Sequence, residues 1–196
     1  MATLEIGGFQ VTIASQPERI DFVIAPPEPP LPPLSATVEL DFREASRLMV
    51  PAVGAFASAQ ANAQRLAVIL NAAREVGSTQ ESVEVARNQI PNLQVPDGTS
   101  EIDYKINVPC PSSIDGITLN RLHRWFSAAR AVVEFVITHG GPSVAPVQEL
   151  SWALVEIIDI NTTTESKFES RFSLKLFEEM ITQAETLYER GYEAFT

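Results

Sequence analysis

The chain has 196 residues and a formal net charge of −11, with 45% hydrophobic and 20% charged residues; that is enough apolar content to bury a core and too much for a chain disordered throughout. Its sequence pI near 4.6 sets it against phosphate backbones, and among its cations only Arg121 and Arg124 approach a cluster, so nucleic acid is not an expected partner. One cysteine, Cys110, excludes an intramolecular disulfide and a multi-cysteine metal site.

Met1 to Phe9 carries neither a basic region nor an apolar run of the secretory kind. The longest apolar stretch, Leu48 to Ala57, contains Pro51 and is about half the ~20 residues a spanning helix needs. These features predict a cytoplasmic protein, or one held in a particle assembled inside the cell, with no membrane segment.

In chain order, Phe9, Val11 and Ile13 alternate onto one face of a strand, and Ala36, Val38, Leu40 and Phe42 repeat the pattern. Gly7-Gly8 is placed to close a tight hairpin. Between these strands runs Ala25 to Leu34, whose prolines fix φ and lack amide donors, so it reads as a polyproline II arm. Its PxxP spacing, for example Pro26 and Pro29, and the core Pro29, Pro30, Leu31, Pro32 and Pro33 mark the candidate interaction segment. An arm laid on a second copy and a stiff crossover within one domain fit the same residues.

Ser46 to Val76 is rich in alanine, with Val53, Phe56, Ala63, Leu66 and Leu70 at helical spacing. This predicts one long helix stopping at Gly77, its small residues suited to close helix pairing. Ser78 stands at capping-box distance from Glu81, predicting a second short helix; Ser82 to Ala86 reads alternatively as a strand. Asn88 to Ser100 has loop composition. Ile102, Tyr104, Ile106 and Val108 alternate with Asp103, Lys105 and Asn107 as in a half-buried strand that ends at Pro109-Cys110-Pro111. Thr118 or Asp115 then caps a predicted helix with Leu122, Phe126, Ala129, Val133 and Val136 on one stripe, stopping at His139-Gly140-Gly141. Leu150 to Ile160 is apolar on both faces apart from Glu156 and Asp159, the pattern of a central strand covered twice. The last helix, 173–195, places Phe177, Ile181, Ala184, Tyr188 and Gly191 on one side.

Chemistry-bearing residues are few. His139 fits a helix terminus, where a cation complements free carbonyls. His123 fits a partly buried imidazole bonded to backbone, and Cys110 a buried inert thiol. Glu156 and Asp159 are acids inside an apolar strand, which demands pairing, solvation or protonation; a sheet edge or strand end explains both. Glu178 and Glu179, adjacent on a helix, diverge. Glu156, Asp159, His123 and Cys110 are therefore the candidate catalytic residues. No glycine-rich phosphate loop and no metal-ligand spacing occurs, so neither a cofactor nor a metal is expected. Asn161-Thr162-Thr163 matches a glycosylation acceptor but reads as a polar loop in a chain that is not exported.

The expected fold is α+β: a small mixed or antiparallel sheet, made of the N-terminal strands, Ile102–Val108 and Leu150–Ile160, packed against three main helices. A Pro-rich extended N-terminal arm and its strands occupy 1–34, and a single domain 35–196. The leading functional expectation is a homo-oligomeric structural or assembly subunit joined through the arm and helix faces. An acidic monomeric regulator that occupies a partner's basic surface is the alternative, and a small enzyme with a carboxylate-based site the third.

Overall fold

The computed structural model describes residues 2–6, 9–16, 19–25, 42–59, 65–91, 93–132, 135–138, 141–144, 149–163, 165–166 and 169–195. Two helices alternate with two strands in the centre of the chain: α1 (Phe42–Ala59), β4 (Ala67–Val76), α2 (Thr79–Gln89) and β5 (Asp103–Pro111). They follow the N-terminal strands β1 (Ala2–Ile6), β2 (Phe9–Gln16) and β3 (Arg19–Ala25). Then come β6 (Thr118–Val132), β7 (Phe135–Thr138), β8 (Gly141–Val144), β9 (Glu149–Thr162) and α3 (Ser173–Arg190), with a 3-10 segment, Gly191–Phe195, closing the chain. The protein is α+β.

The main sheet has the order β4-β9-β6-β5, antiparallel throughout. Leu150 to Ile160 lies in β9, which is bonded on both sides, the interior position its apolar sequence demands. Paired residues in a ladder share a face, so the register sorts every side chain. Val68, Leu119, Trp125, Ile158 and Ile160 point to the inner face, where all five are buried. The three described helices all serve that face. Leu176, Phe177, Met180, Ala184 and Leu187 of α3 pack on it at the β4 side, and Met49 and Val50 of α1 join the same cluster. Ala86 of α2 and Ile90 just beyond it close over Trp125 and Leu154.

Several sequence expectations are met in detail. Ile6 pairs with Phe9, the register a hairpin at Gly7-Gly8 requires; the two glycines lie outside the described residues. Ser78 caps α2, its Oγ accepting from the Glu81 amide at 3.1 Å, while Glu81 reaches back to accept from the Gly77 amide at 2.6 Å. β5 shows the strict alternation of exposed and half-buried residues read from 102–108. It also runs on through Pro109 and Pro111, where an end was expected. Ser112 donates its amide to Ile117 across the closing turn, so even-numbered amides face β6 and the two prolines, at odd positions on an edge strand, remove no ladder donor.

Of the two long helices read from the sequence, one is helical only in its first half and the other is strand. The expected helix 46–76 is α1 followed by β4, and Gly77 ends a strand rather than a helix. Leu66, Val68 and Leu70 satisfy a period of two as well as Leu66 and Leu70 satisfy a period of four, and sheet pairing overrides the alanine-rich propensity. The expected helix 118–136 is β6 and the start of a β7–β8 hairpin with Thr138 opposite Gly141; His139 and Gly140 lie outside the described residues. β6 carries apolar residues on both faces, Leu119 and Trp125 inward and Leu122 and Phe126 outward, and a two-faced strand fills helical spacings by coincidence. Asp115 and Thr118 cap nothing: Asp115-Gly116 is a turn, with Gly116 at φ 79°. The N-terminal strands do not join the main sheet but form their own, in the order β1-β2-β3. Phe42, read as the end of a second N-terminal strand, begins α1. Residues 26–41, which hold the proline arm with Pro29, Pro30, Leu31, Pro32 and Pro33, lie outside the described residues.

On α3 the buried stripe is rotated by one residue from the expected one. Phe177 and Ala184 belong to both, but Leu187 is fully buried while Tyr188 is 51% exposed. Gly191 leaves the helix at φ 54°, a left-handed conformation that frees the chain to turn back toward the sheet. Leu187→Ala is expected to cost about 2–5 kcal/mol of stability, and Tyr188→Ala less than about 0.5 kcal/mol. Urea unfolding of the two variants checks this, and similar losses would contradict the stripe.

Candidate functional site

His123 sits on the inner face of β6, fully buried, where its Nε2 meets Glu156 Oε1 at 2.5 Å. Glu156 comes from β9, two residues along from Ile158, the register partner of His123, and its side chain is 16% exposed. The acid in an apolar strand is thus paired, and it lies in the sheet interior, not at the edge expected for it. The imidazole's partner is a carboxylate rather than backbone. Its ring stacks on Trp125, two residues along the same strand, with centroids 3.6 Å apart at 26°. Nδ1 has no partner among the described residues.

The closing turn after α3 covers this row. Phe195 stands 6.4 Å from the His123 ring, and Arg121 lies over Phe195 at 5.4 Å while donating from Nη1 to the Ala194 carbonyl at 3.3 Å. The imidazole lies between Trp125 and Phe195, while Glu156 keeps an edge in solvent. The pair works as a polar pin: a one-residue slip of β6 on β9 turns His123 to the other face and leaves Glu156 alone.

The other sequence candidates lie elsewhere. Asp159, three residues from Glu156, falls on the opposite face of β9 and accepts from Asn161 Nδ2 at 2.8 Å. Cys110 pairs in register with Leu119, four residues from His123, about 13 Å along the strand. No Cys110–His123 couple forms. Burial pushes the Cys110 thiol up, partly offset by nearby Arg121. Asn161 and Thr162, both buried, are the end of β9 rather than a loop, with Thr163 just past it, and Thr162 Oγ1 accepts from the Leu66 amide at 3.1 Å. Glu178 and Glu179 do diverge. Glu179 binds Ser112 and Ser113 in the β5–β6 turn, while Glu178 lines a shallow groove of about 380 Å³ between α1 and α3 with Arg47 and Glu185.

A second cavity, of about 360 Å³, lies at the end of the sheet between Arg65, Asn120, Asn161, Thr162, Thr163 and Glu165. Neither cavity is lined by His123, Glu156, Asp159 or Cys110. Among the described residues no group of His, Cys, Asp and Glu is arranged to hold a metal ion, and no helix is long and apolar enough to cross a membrane. Arg121 and Arg124 lie on opposite faces of β6 and form no basic patch.

The outer face of the sheet carries the surface that helical readings concealed. Phe126 and Val155 pair across β6 and β9, with Ala73 of β4 beside them; Leu122 and Ile157 flank them, and Ile69 is 52% exposed. Arg124 lies 4.6 Å over the Phe126 ring and grips Asp103 through Nε and Nη2, at 2.7 and 2.6 Å. The Arg124 hydrogen bonds hold the Asp103 carboxyl below the usual carboxylate range. That pairing adds stability above the usual carboxylate pKa and loses it as pH falls through the lowered value.

Comparison with known protein families, with curated proteins and with solved structures finds no match to this chain.

Replacing His123 by Phe keeps the stack and strands Glu156, an expected loss of about 1–3 kcal/mol. Adding Glu156→Leu is expected to recover most of it, so additive losses in urea unfolding would contradict the pin. Cys110, held protonated by burial, is expected to alkylate more slowly at neutral pH in the folded protein than in the denatured chain; equal rates with iodoacetamide would place the thiol in solvent.

Proposed function

We propose that the protein is a structural subunit that assembles with copies of itself through the outer side of its four-stranded sheet. The carrying observation is the sheet's asymmetry. The described helices all serve the inner face, while Leu122, Phe126, Val155 and Ile157 stay partly exposed on the outer one and Ile69 largely so. Apolar side chains gathered on an uncovered sheet face mark a protein contact, and stacking against a second sheet about 10 Å away buries such a face.

The helix faces first considered for assembly are engaged within the protomer. α1 packs on α3, with Leu174 4.0 Å from the position a Cβ on Gly54 would take, and the α3 stripe is turned to the core. The outer face of the main sheet is left uncovered by the described helices. The catalytic reading draws its strongest support from the His123–Glu156 pair, but the imidazole is fully buried and neither cavity is lined by His123 or Glu156. The acidic-regulator reading requires carboxylates gathered on one face, and the α1–α3 groove mixes Glu178 and Glu185 with Arg47.

Light scattering on a sizing column is expected to return a discrete multiple of the 21.5 kDa protomer. Val155→Glu, which sets a charge at the centre of the patch, is expected to lower that mass while leaving the circular dichroism spectrum unchanged. A 21.5 kDa species at every concentration contradicts self-assembly.

A further inference from the structure

The two edges of the main sheet are not alike. β5 carries Lys105, Pro109 and Pro111, the charge and proline by which exposed edges are protected from pairing. β4 carries none of these from Ala67 to Ala73, an uncharged run of Ala, Val, Ile, Leu and Asn, and its only charges, Arg74 and Glu75, stand near its end. Its backbone is also turned to pair. The Leu66 carbonyl accepts from Thr162 on β9 at 3.0 Å, so even-numbered positions of this strand face β9. Their odd-numbered neighbours, Ala67, Ile69, Asn71, Ala73 and Glu75, then direct their N–H and C=O groups away from it.

We infer that β4 pairs antiparallel with β4 of a second copy about a two-fold axis at Leu70, joining two four-stranded sheets into one. This deepens the self-assembly reading and rests on it. The register follows from charge. Arg65 and Glu75 are both exposed, and neither has an ion-pair partner among the described residues. With the axis at Leu70, Arg65 of each copy stands opposite Glu75 of the other, on the same face and at hydrogen-bonded positions. Between the two charge pairs, Ala67 meets Ala73, Val68 meets Ala72 and Ile69 meets Asn71. Moving the axis one residue toward Asn71 sets Glu75 against Ala67, moving it toward Ile69 sets Arg65 against Ala73, and either shift leaves both charges unmatched. The symmetric interface thus uses each charge twice, as an isologous contact does.

The test is a charge swap in the full chain, with dimerisation followed by light scattering across a concentration series. Glu75→Arg and Arg65→Glu, each placing like charges opposite one another at two sites, are expected to weaken dimerisation about tenfold at low salt. The Arg65→Glu/Glu75→Arg double variant is expected to return to within about twofold of the parent. All three changes lie at exposed positions, so circular dichroism is expected to match the parent. A multimer whose mass Val155→Glu lowers but whose affinity neither single reversal changes would overturn the edge pairing and leave the face reading standing. Single reversals that weaken association without rescue in the double variant overturn the register, and a parent that stays monomeric at every concentration overturns both.

Discussion

The pairing of β9 with β4 on one side and β6 on the other is the constraint from which the rest of the structure follows. It joins segments far apart in sequence, so its loop-closure entropy is met only once long ladders form on both sides. Ile158 and Ile160 lie in those ladders, and both are fully buried under α3. Among the described residues β4 is bonded to the sheet only through β9. The strand nearest the middle of the core therefore also determines that the sheet has a long unprotected edge.

Polar groups inside this frame are spent on alignment. His123 and Glu156 tie β6 to β9, the Ser82 and Ser127 hydroxyls meet at 2.6 Å to tie α2 to β6, and Thr162 holds the chain entering β4. Each satisfies buried donors or acceptors that would otherwise destabilise the fold, and each fixes one register among several apolar alternatives. Chemistry-bearing side chains thus appear at the seams between elements, while apolar side chains appear at the surface, on the outer face. That inversion is what points from catalysis toward assembly.

Much of this was readable from the residues where one period dominates. Tyr104, Ile106 and Val108 alternate with charged and amide residues and form a strand, and Ser78 with Glu81 announces a cap whose bonds are present. The unbroken apolar run of β9 correctly implied an interior position. Reading failed where two periods coincide. Leu66 just before β4 and Leu70 within it, and Leu122 and Phe126 on β6, are four apart, and a strand apolar on both sides offers such spacings as freely as a helix does. Misreading β6 hid the pairing of His123 with Glu156, since those residues meet only through the β6–β9 register. Misreading β4 hid the edge; its one available sign was an uncharged run from Ala67 to Ala73 followed by Arg74-Glu75.

Residue-resolved hydrogen exchange along β4, in dilute and concentrated solution, tests the account most directly. The even-numbered amides, bonded to β9, are predicted to be protected at both concentrations, and the odd-numbered amides from Ala67 to Glu75 to gain protection as concentration rises. Odd-numbered amides that exchange equally fast at both concentrations would contradict a sheet that continues into a second copy.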